Sequence, residues 1–181
     1  PVLTIGTQIE EGMKLHTKMS AIERKEKALA IMEEAEFLSA VNSVIRNLKT
    51  KQTNLSYSIT GSSVFAILGI RPWDTVKDID IILYNPTKET LSLLDSISTT
   101  TSNNNYPTKS LISINYINNS NKPIKIDFFI SDPDLESIPK IFYKEHPIIK
   151  IPEILKAKKS YNRDKDKLDI MNIVKFFLNS I

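Results

Sequence analysis

The strongest constraint on this chain is an alternation of acid and aliphatic residues, Asp78-Ile79-Asp80-Ile81. Residues two apart in a strand share a face. Read as a strand, the run sets the carboxylates of Asp78 and Asp80 side by side and turns Ile79 and Ile81 into a core. The residues before it read as strand, turn and helix. Tyr57 to Thr60 is short, apolar and β-branched, Gly61-Ser62-Ser63 forms the turn, and Val64 to Leu68 is a small helical segment closed by Gly69. A third acid stands in similar surroundings downstream, in Lys125-Ile126-Asp127-Phe128-Phe129. Three carboxylates on adjacent strands, facing a Gly-Ser turn at a helix start, suggest a site for a metal-bound triphosphate.

Composition narrows the alternatives. The 181 residues suffice for one ordinary domain plus an appendage. No apolar run reaches the roughly 18 residues that a membrane helix needs. No charged start followed by an apolar segment reads as a signal peptide, so a cytoplasmic protein is expected. Cysteine is absent and only His16 and His146 are present, which removes disulfides, thiolate metal sites and multi-histidine zinc sites. The stretch 140–175 carries ten Lys and Arg against five Asp and Glu. Such a patch suits nucleotide phosphates or nucleic acid, or is a solvated helix face.

Two capping boxes are legible near the start, Thr7-Gln8-Ile9-Glu10 and Ser20-Ala21-Ile22-Glu23. They predict a short helix over about 8–19 and a long one over about 21–49. The long helix has an apolar stripe of Ile22, Leu29, Met32, Ala35, Leu38, Val41, Ile45 and Leu48. From Phe37 on it is expected against a sheet. Its charged first half and residues 1–19 are expected to project, or to pack on the same chain or a partner. Pro86-Thr87 opens a helix over about 87–97. Thr99 to Asn105 reads as loop. Leu111 to Ile117 and Ile124 to Ile130 read as strands of a hairpin. The segment 138–151 reads as irregular, with a short strand at 148–151. Helices are expected from Pro152 to Lys159 and from Lys165 to Leu178, the second with Leu168, Ile170, Met171, Ile173, Val174, Phe176 and Phe177 as its apolar residues.

The order apolar-Gly61-Ser62, then Asp78-Ile79-Asp80, then a strand with Asp127 alone resembles the nucleotidyltransferase superfamily, the DNA polymerase β-like fold. The resemblance covers about Leu55 to the C-terminus. It is closest to small stand-alone members related to toxin–antitoxin and antibiotic-modifying enzymes. The tail, Pro152-Glu153-Ile154-Leu155-Lys156 followed by Arg163-Asp164-Lys165-Asp166-Lys167-Leu168-Asp169, is similar to their closing helices. The resemblance implies an α+β fold: a small mixed sheet flanked by helices, with an N-terminal helical extension over 1–50 and a catalytic domain with closing helices over 51–181. It further implies that Asp78 and Asp80 bind two Mg²⁺ (or Mn²⁺) ions and that Asp127 binds the catalytic one and helps deprotonate an acceptor hydroxyl. Gly61, Ser62 and Ser63 would cradle the phosphates of an NTP, and Lys156 and Lys165 would contact them or serve structure. Asp166 and Asp169 are read as structural. Arg71 and Lys77 would reach phosphate or remain surface charges.

Two functions follow. One is transfer of a nucleoside monophosphate from an NTP to a hydroxyl of RNA, protein or a small molecule, as in the toxin of a toxin–antitoxin pair. The other is a catalytically idle subunit that assembles through its N-terminal helices. Trp73 reads as a base-stacking residue or a buried anchor, and His146 as a hydrogen-bonded or surface residue. Tyr106, Tyr116, Tyr143 and Tyr161 are named as self-modification sites on residue type alone.

Overall fold

A computed structural model describes residues 4–102, 110–117, 123–131 and 136–179. The fold is α+β, a seven-stranded mixed sheet with helices. Two helices precede the sheet, α1 (Ile5–His16) and α2 (Ala21–Lys49). Three helices flank later strands: α3 (Gly61–Ile67), α4 (Lys88–Ser96) and α5 (Ile151–Tyr161). The last, α6 (Asp164–Leu178), closes the described chain.

The strands are β1 (Ser56–Thr60), β2 (Asp78–Tyr84), β3 (Thr100–Ser102), β4 (Ser110–Ile117), β5 (Pro123–Ser131), β6 (Lys140–Tyr143) and β7 (His146–Ile149). Their order across the sheet is β3-β4-β5-β2-β1-β7-β6. The β2/β5 and β1/β7 pairs are parallel and the rest antiparallel.

Period-two alternation gives the sheet two unlike faces. One face sends Tyr57 and Ile59, Ile79, Ile81 and Leu83, and Ile126 and Phe128 into the core. The second half of α2 belongs to that core through Phe37, Leu38, Val41, Val44, Ile45 and Leu48, as the stripe predicts. Its first half does not: Ile22 is 71% and Leu29 50% exposed. Here α1 packs beside α2. A Cβ on Gly6 would lie 3.3 Å from Met32 Sδ, which sets the pair as a helical hairpin. The α2 start is the predicted capping box between Ser20 and Glu23. The α1 start is a correction: Thr4, not Thr7, is the cap, and its hydroxyl accepts from the Thr7 amide.

Other expectations are corrected by long-range pairing that local sequence does not show. The polar run after Ser98 contributes β3, paired antiparallel with β4, and the rest of that run, 103–105, lies outside the described residues. The segment read as irregular is the β6/β7 hairpin. Gly61-Ser62-Ser63 is no separate turn, because α3 begins at Gly61 itself. Pro86 precedes the cap of α4, which is Thr87 accepting from the Thr90 amide. Gly69 does close α3: its amide reaches Ala66 O and that of Ile70 reaches Phe65 O, with Gly69 at φ +72°.

Candidate active site

The second face of the sheet is polar where β2, β5 and β4 meet. Parallel register pairs Asp80 with Asp127 and Asp78 with Lys125. Antiparallel register pairs Asp127 with Ser113 of β4, and Asp80 with Thr60 at the end of β1. The fold thus brings the three acids read from the sequence onto one face of two neighbouring strands. It also brings in two residues that the sequence reading did not assign. Lys125 Nζ donates to Asp127 Oδ2 at 2.7 Å, and Ser113 Oγ donates to Asp127 Oδ1 at 2.6 Å. Lys125 stands two residues before Asp127, so period two alone could have placed it on this face. Ser113 needed the β4/β5 register.

Asp80 is the most burdened group. Its carboxyl is pushed up to about 7, first by burial and then by the neighbouring charges of Asp78 and Asp127. Lys158 and Lys165 pull the other way without cancelling this. No hydrogen bond found among the described residues ends on the Asp80 carboxylate. By contrast, the Lys125 ammonium is held above the usual lysine range. Burial opposes this, but the hydrogen bond and charge of Asp127, with Asp78 and Asp80 behind it, outweigh burial.

Gly61 abuts Asp80. A Cβ there would fall 1.9 Å from Asp80 Oδ2, and the residue has φ +69°. Steric room and backbone conformation both demand glycine at this junction of β1 and α3. Ser62 is half-buried beside it. Ser63 is buried, and its hydroxyl donates to Thr60 O at 2.9 Å, so that hydroxyl already has a partner within the fold.

The basic residues of the tail separate into two kinds. Lys156 is exposed on α5 and paired with Glu153 one turn earlier, at 2.9 Å. Lys165, in the first turn of α6, is exposed and acts electrostatically on Asp80. Lys158, counted in the sequence only as one base among many, is buried. Its Nζ lies 2.6 Å from Asp169 Oδ2, 3.3 Å from Asp166 Oδ1 and 5.5 Å from the Phe65 ring centroid. Arg163 pairs with Asp166 at 2.6 Å, and Arg71 with Asp169 at 3.3 Å. Asp166 and Asp169 therefore tie α5, α6 and the segment after α3 together. Burial would raise the Asp166 carboxyl, but hydrogen bonds from Arg163 and Lys158 hold it below the ordinary carboxylate range.

Trp73, in a 3-10 turn (Trp73–Thr75), packs on Phe37 with ring centroids 4.7 Å apart, which makes it an anchor for α2. His146 is buried, with Nδ1 2.7 Å from the Tyr57 hydroxyl, and burial pulls its pKa down. The Tyr143 hydroxyl donates to Glu34, while Tyr106 lies outside the described residues.

In donor type the acidic face suits a hard divalent cation, which takes carboxylate oxygens. The electrostatic load on Asp80 points the same way. As the side chains stand, however, no three acidic, His or Cys groups among the described residues converge on one point fit for a metal ion. Both Asp127 oxygens are held instead by Ser113 and Lys125. No helix among the described residues is long and apolar enough to cross a membrane.

No family model matches this sequence, and a comparison with curated proteins finds no match. Solved structures do match. An antigenic nucleotidyltransferase-like protein from Paracoccidioides brasiliensis is 16% identical with a TM-score of 0.47, over 72% of this chain and 71% of that one. A nucleotidyltransferase candidate from Thermotoga maritima is 18% identical with a TM-score of 0.44, over 77% and 92%. JHP933 from Helicobacter pylori is 16% identical with a TM-score of 0.42, over 66% and 56%. Each of these similarities is partial, with a TM-score below 0.5.

Proposed function

We propose that this protein is a metal-dependent nucleotidyltransferase that moves a nucleoside monophosphate from an NTP to a hydroxyl and releases pyrophosphate. The observation that carries this reading is the register of β2 on β5. It sets Asp80 beside Asp127 with Asp78 on the same face, against a glycine whose φ of +69° and contact with Asp80 disfavour any side chain. Phosphoryl-type transfer asks mainly for positioning and for neutralisation of charge.

Asp78, Asp80 and Asp127 would hold Mg²⁺ or Mn²⁺. The ion would supply Lewis-acid stabilisation of the phosphate oxygens and of the acceptor oxygen. The chain's own residues do the rest. Asp127 would accept the acceptor's hydroxyl proton, with Ser113 orienting it. Gly61 lets the backbone approach the Asp80 carboxylate closely, and the Ser62 and Ser63 amides beside it would meet the phosphates. Lys165 adds positive charge that acts on Asp80. Lys156, engaged by Glu153, has the lesser part. The acceptor we favour is RNA, given the basic tail, and a role as the toxin of a toxin–antitoxin pair fits that choice. The apolar residues that α1 and α2 leave exposed, Ile5, Leu15, Ile22 and Leu29, offer a surface for a protein partner.

The test is incubation of purified protein with each α-³²P-labelled NTP and Mg²⁺ or Mn²⁺, with total RNA and cell lysate as acceptors. An Asp78→Asn/Asp80→Asn double variant runs beside it. Label carried into one acceptor class by the wild type alone is the expected result. Equal label in both proteins, or none in any pool, would discard the reading and favour an idle, assembling subunit.

A further inference from the structure

Asp78, Asp80, Lys125 and Asp127 form a square on the open face of β2 and β5. Asp78 faces Lys125 across the ladder and Asp80 faces Asp127, and along each strand the members are two residues apart. Three corners are acids. The fourth is a lysine whose Nζ sits 2.7 Å from Asp127 Oδ2, with a side chain 44% exposed. Ser113 holds the other oxygen.

We propose that Lys125 is a tethered cation of the acidic face, which holds Asp127 while no metal ion is bound and competes with a divalent ion for Asp127 Oδ2. The inference rests on the nucleotidyltransferase reading and deepens it. Three like charges on adjacent strand positions repel, and one ammonium in their midst offsets part of that repulsion. Lysine suits this role as a compact point charge on a flexible four-carbon stem, which can leave without disturbing the strand. While it stays, both Asp127 oxygens are engaged, by Lys125 and Ser113. A divalent ion arriving at Asp127 must displace the ammonium or lie beside it. The face should therefore bind metal weakly until the triphosphate of an NTP brings its own negative charge. Lys125 is a positioning residue in this scheme and makes no bond to the substrate.

The experiment measures Mn²⁺ affinity of the whole chain without nucleotide, from the electron paramagnetic resonance signal of free Mn²⁺. It compares wild type, Lys125→Gln and Lys125→Arg. Glutamine keeps a donor within reach of Asp127 and removes the charge. We expect Lys125→Gln to bind Mn²⁺ about tenfold tighter than wild type, and Lys125→Arg to match wild type. Equal affinity in all three, or weaker binding by Lys125→Gln, overturns the proposal and leaves the enzymatic reading standing. If neither wild type nor any variant binds Mn²⁺, with or without NTP, the metal-dependent reading falls and this inference falls with it. A measurement on wild type alone covers the case in which a variant does not fold. Amine acetylation at Lys125, mapped by mass spectrometry, should speed up when Mg²⁺ and NTP are added. An unchanged rate overturns the proposal.

Discussion

Two groups of buried or half-buried aspartates lie near each other in this molecule, and the fold treats them in opposite ways. At the α5/α6 junction, Asp166 and Asp169 meet Lys158, Arg163 and Arg71, so each has a cation within 3.3 Å. On the sheet, Asp78, Asp80 and Asp127 share one lysine, and Asp80 gains no hydrogen bond among the described residues. The first group holds Asp166 below the ordinary carboxylate range, and the second pushes Asp80 up to about 7. An acid that the fold satisfies belongs to the framework. One that the fold burdens is kept for something else, since an unpaired buried charge costs stability that a merely structural residue would not be retained to spend.

The sharpest way to break this comparison is to neutralise one acid from each group. Asp80→Asn should lower nucleotidyl transfer at least about a thousandfold, a loss typical of removing a central electrostatic element, while leaving the protein more stable at pH 8. The sign follows from linkage. The folded state keeps the Asp80 proton to about pH 7, whereas an unfolded Asp loses it near pH 4. Wild-type stability contributed by this group is therefore highest below about pH 4 and falls as pH rises to about 7, by roughly 4 kcal/mol in all. The gap in Tm between Asp80→Asn and wild type should open over that range, and millimolar Mg²⁺ should narrow it by stabilising wild type alone. A gap that does not change with pH would mean that Asp80 is not burdened.

Asp166→Asn should do the reverse. It removes the partner of a buried cation and should cost about 3 kcal/mol near neutral pH. The folded-state pKa of Asp166 is depressed, so its contribution is present above the ordinary carboxylate pKa and is lost as pH falls through the lower folded value. The deficit of the variant should thus shrink only below about pH 4. Thermal unfolding from pH 3 to 8 reads both variants in one series.

The two glycines at the ends of α3 give a smaller contrast. Gly61→Ala meets Asp80 Oδ2 and a left-handed backbone, and should cost about 2 kcal/mol together with most of the activity. Gly69→Ala has φ +72° but open space around it, and should cost about 1 kcal/mol with activity intact. If both lose activity equally, the approach of Gly61 to Asp80 has no special role. Smallest of all, Lys156→Ala should change stability by less than about 0.5 kcal/mol, as expected for an exposed pair. Lys165→Ala should weaken NTP binding several-fold more than Lys156→Ala, as read by nucleotide titration.

Much of the framework is legible in the residues alone. The Ser20 box and the stripe from Phe37 locate α2, and Asp78 to Tyr84 reads as a strand because acids and aliphatics alternate at its start. These are local signals: a cap is made within three residues and a strand face repeats every two. Elements made by distant partners are not legible. A polar run became β3 because β4 offered it an edge. The segment at 138–151 became a hairpin with β7 beside β1, through Ile59 and Ile148. The apolar residues of α6 are those of an amphipathic helix, yet Leu168, Met171, Val174 and Phe177 are each at least half exposed, and of that set only Ile173 is fully buried. Periodicity counts apolar residues but does not say how many of them a neighbour covers.

For the site, the sequence by itself determined which residues the proposed function draws on: three aspartates in strand contexts and a glycine before a helix. Side-chain type and spacing are written in the chain. Tertiary structure alone decided which of these residues meet and in what state. The β2/β5 register put Asp127 beside Asp80, the β4/β5 register brought Ser113 to one of its oxygens while Lys125 of the same strand took the other, and the β1/β2 pairing placed Gly61 against Asp80. It also divided the tail's lysines into a buried tie, Lys158, and an exposed pair member, Lys156. The physical reason is that charge state, burial and pairing depend on distances of a few ångströms between residues far apart in the chain. Those distances exist only once the sheet has formed.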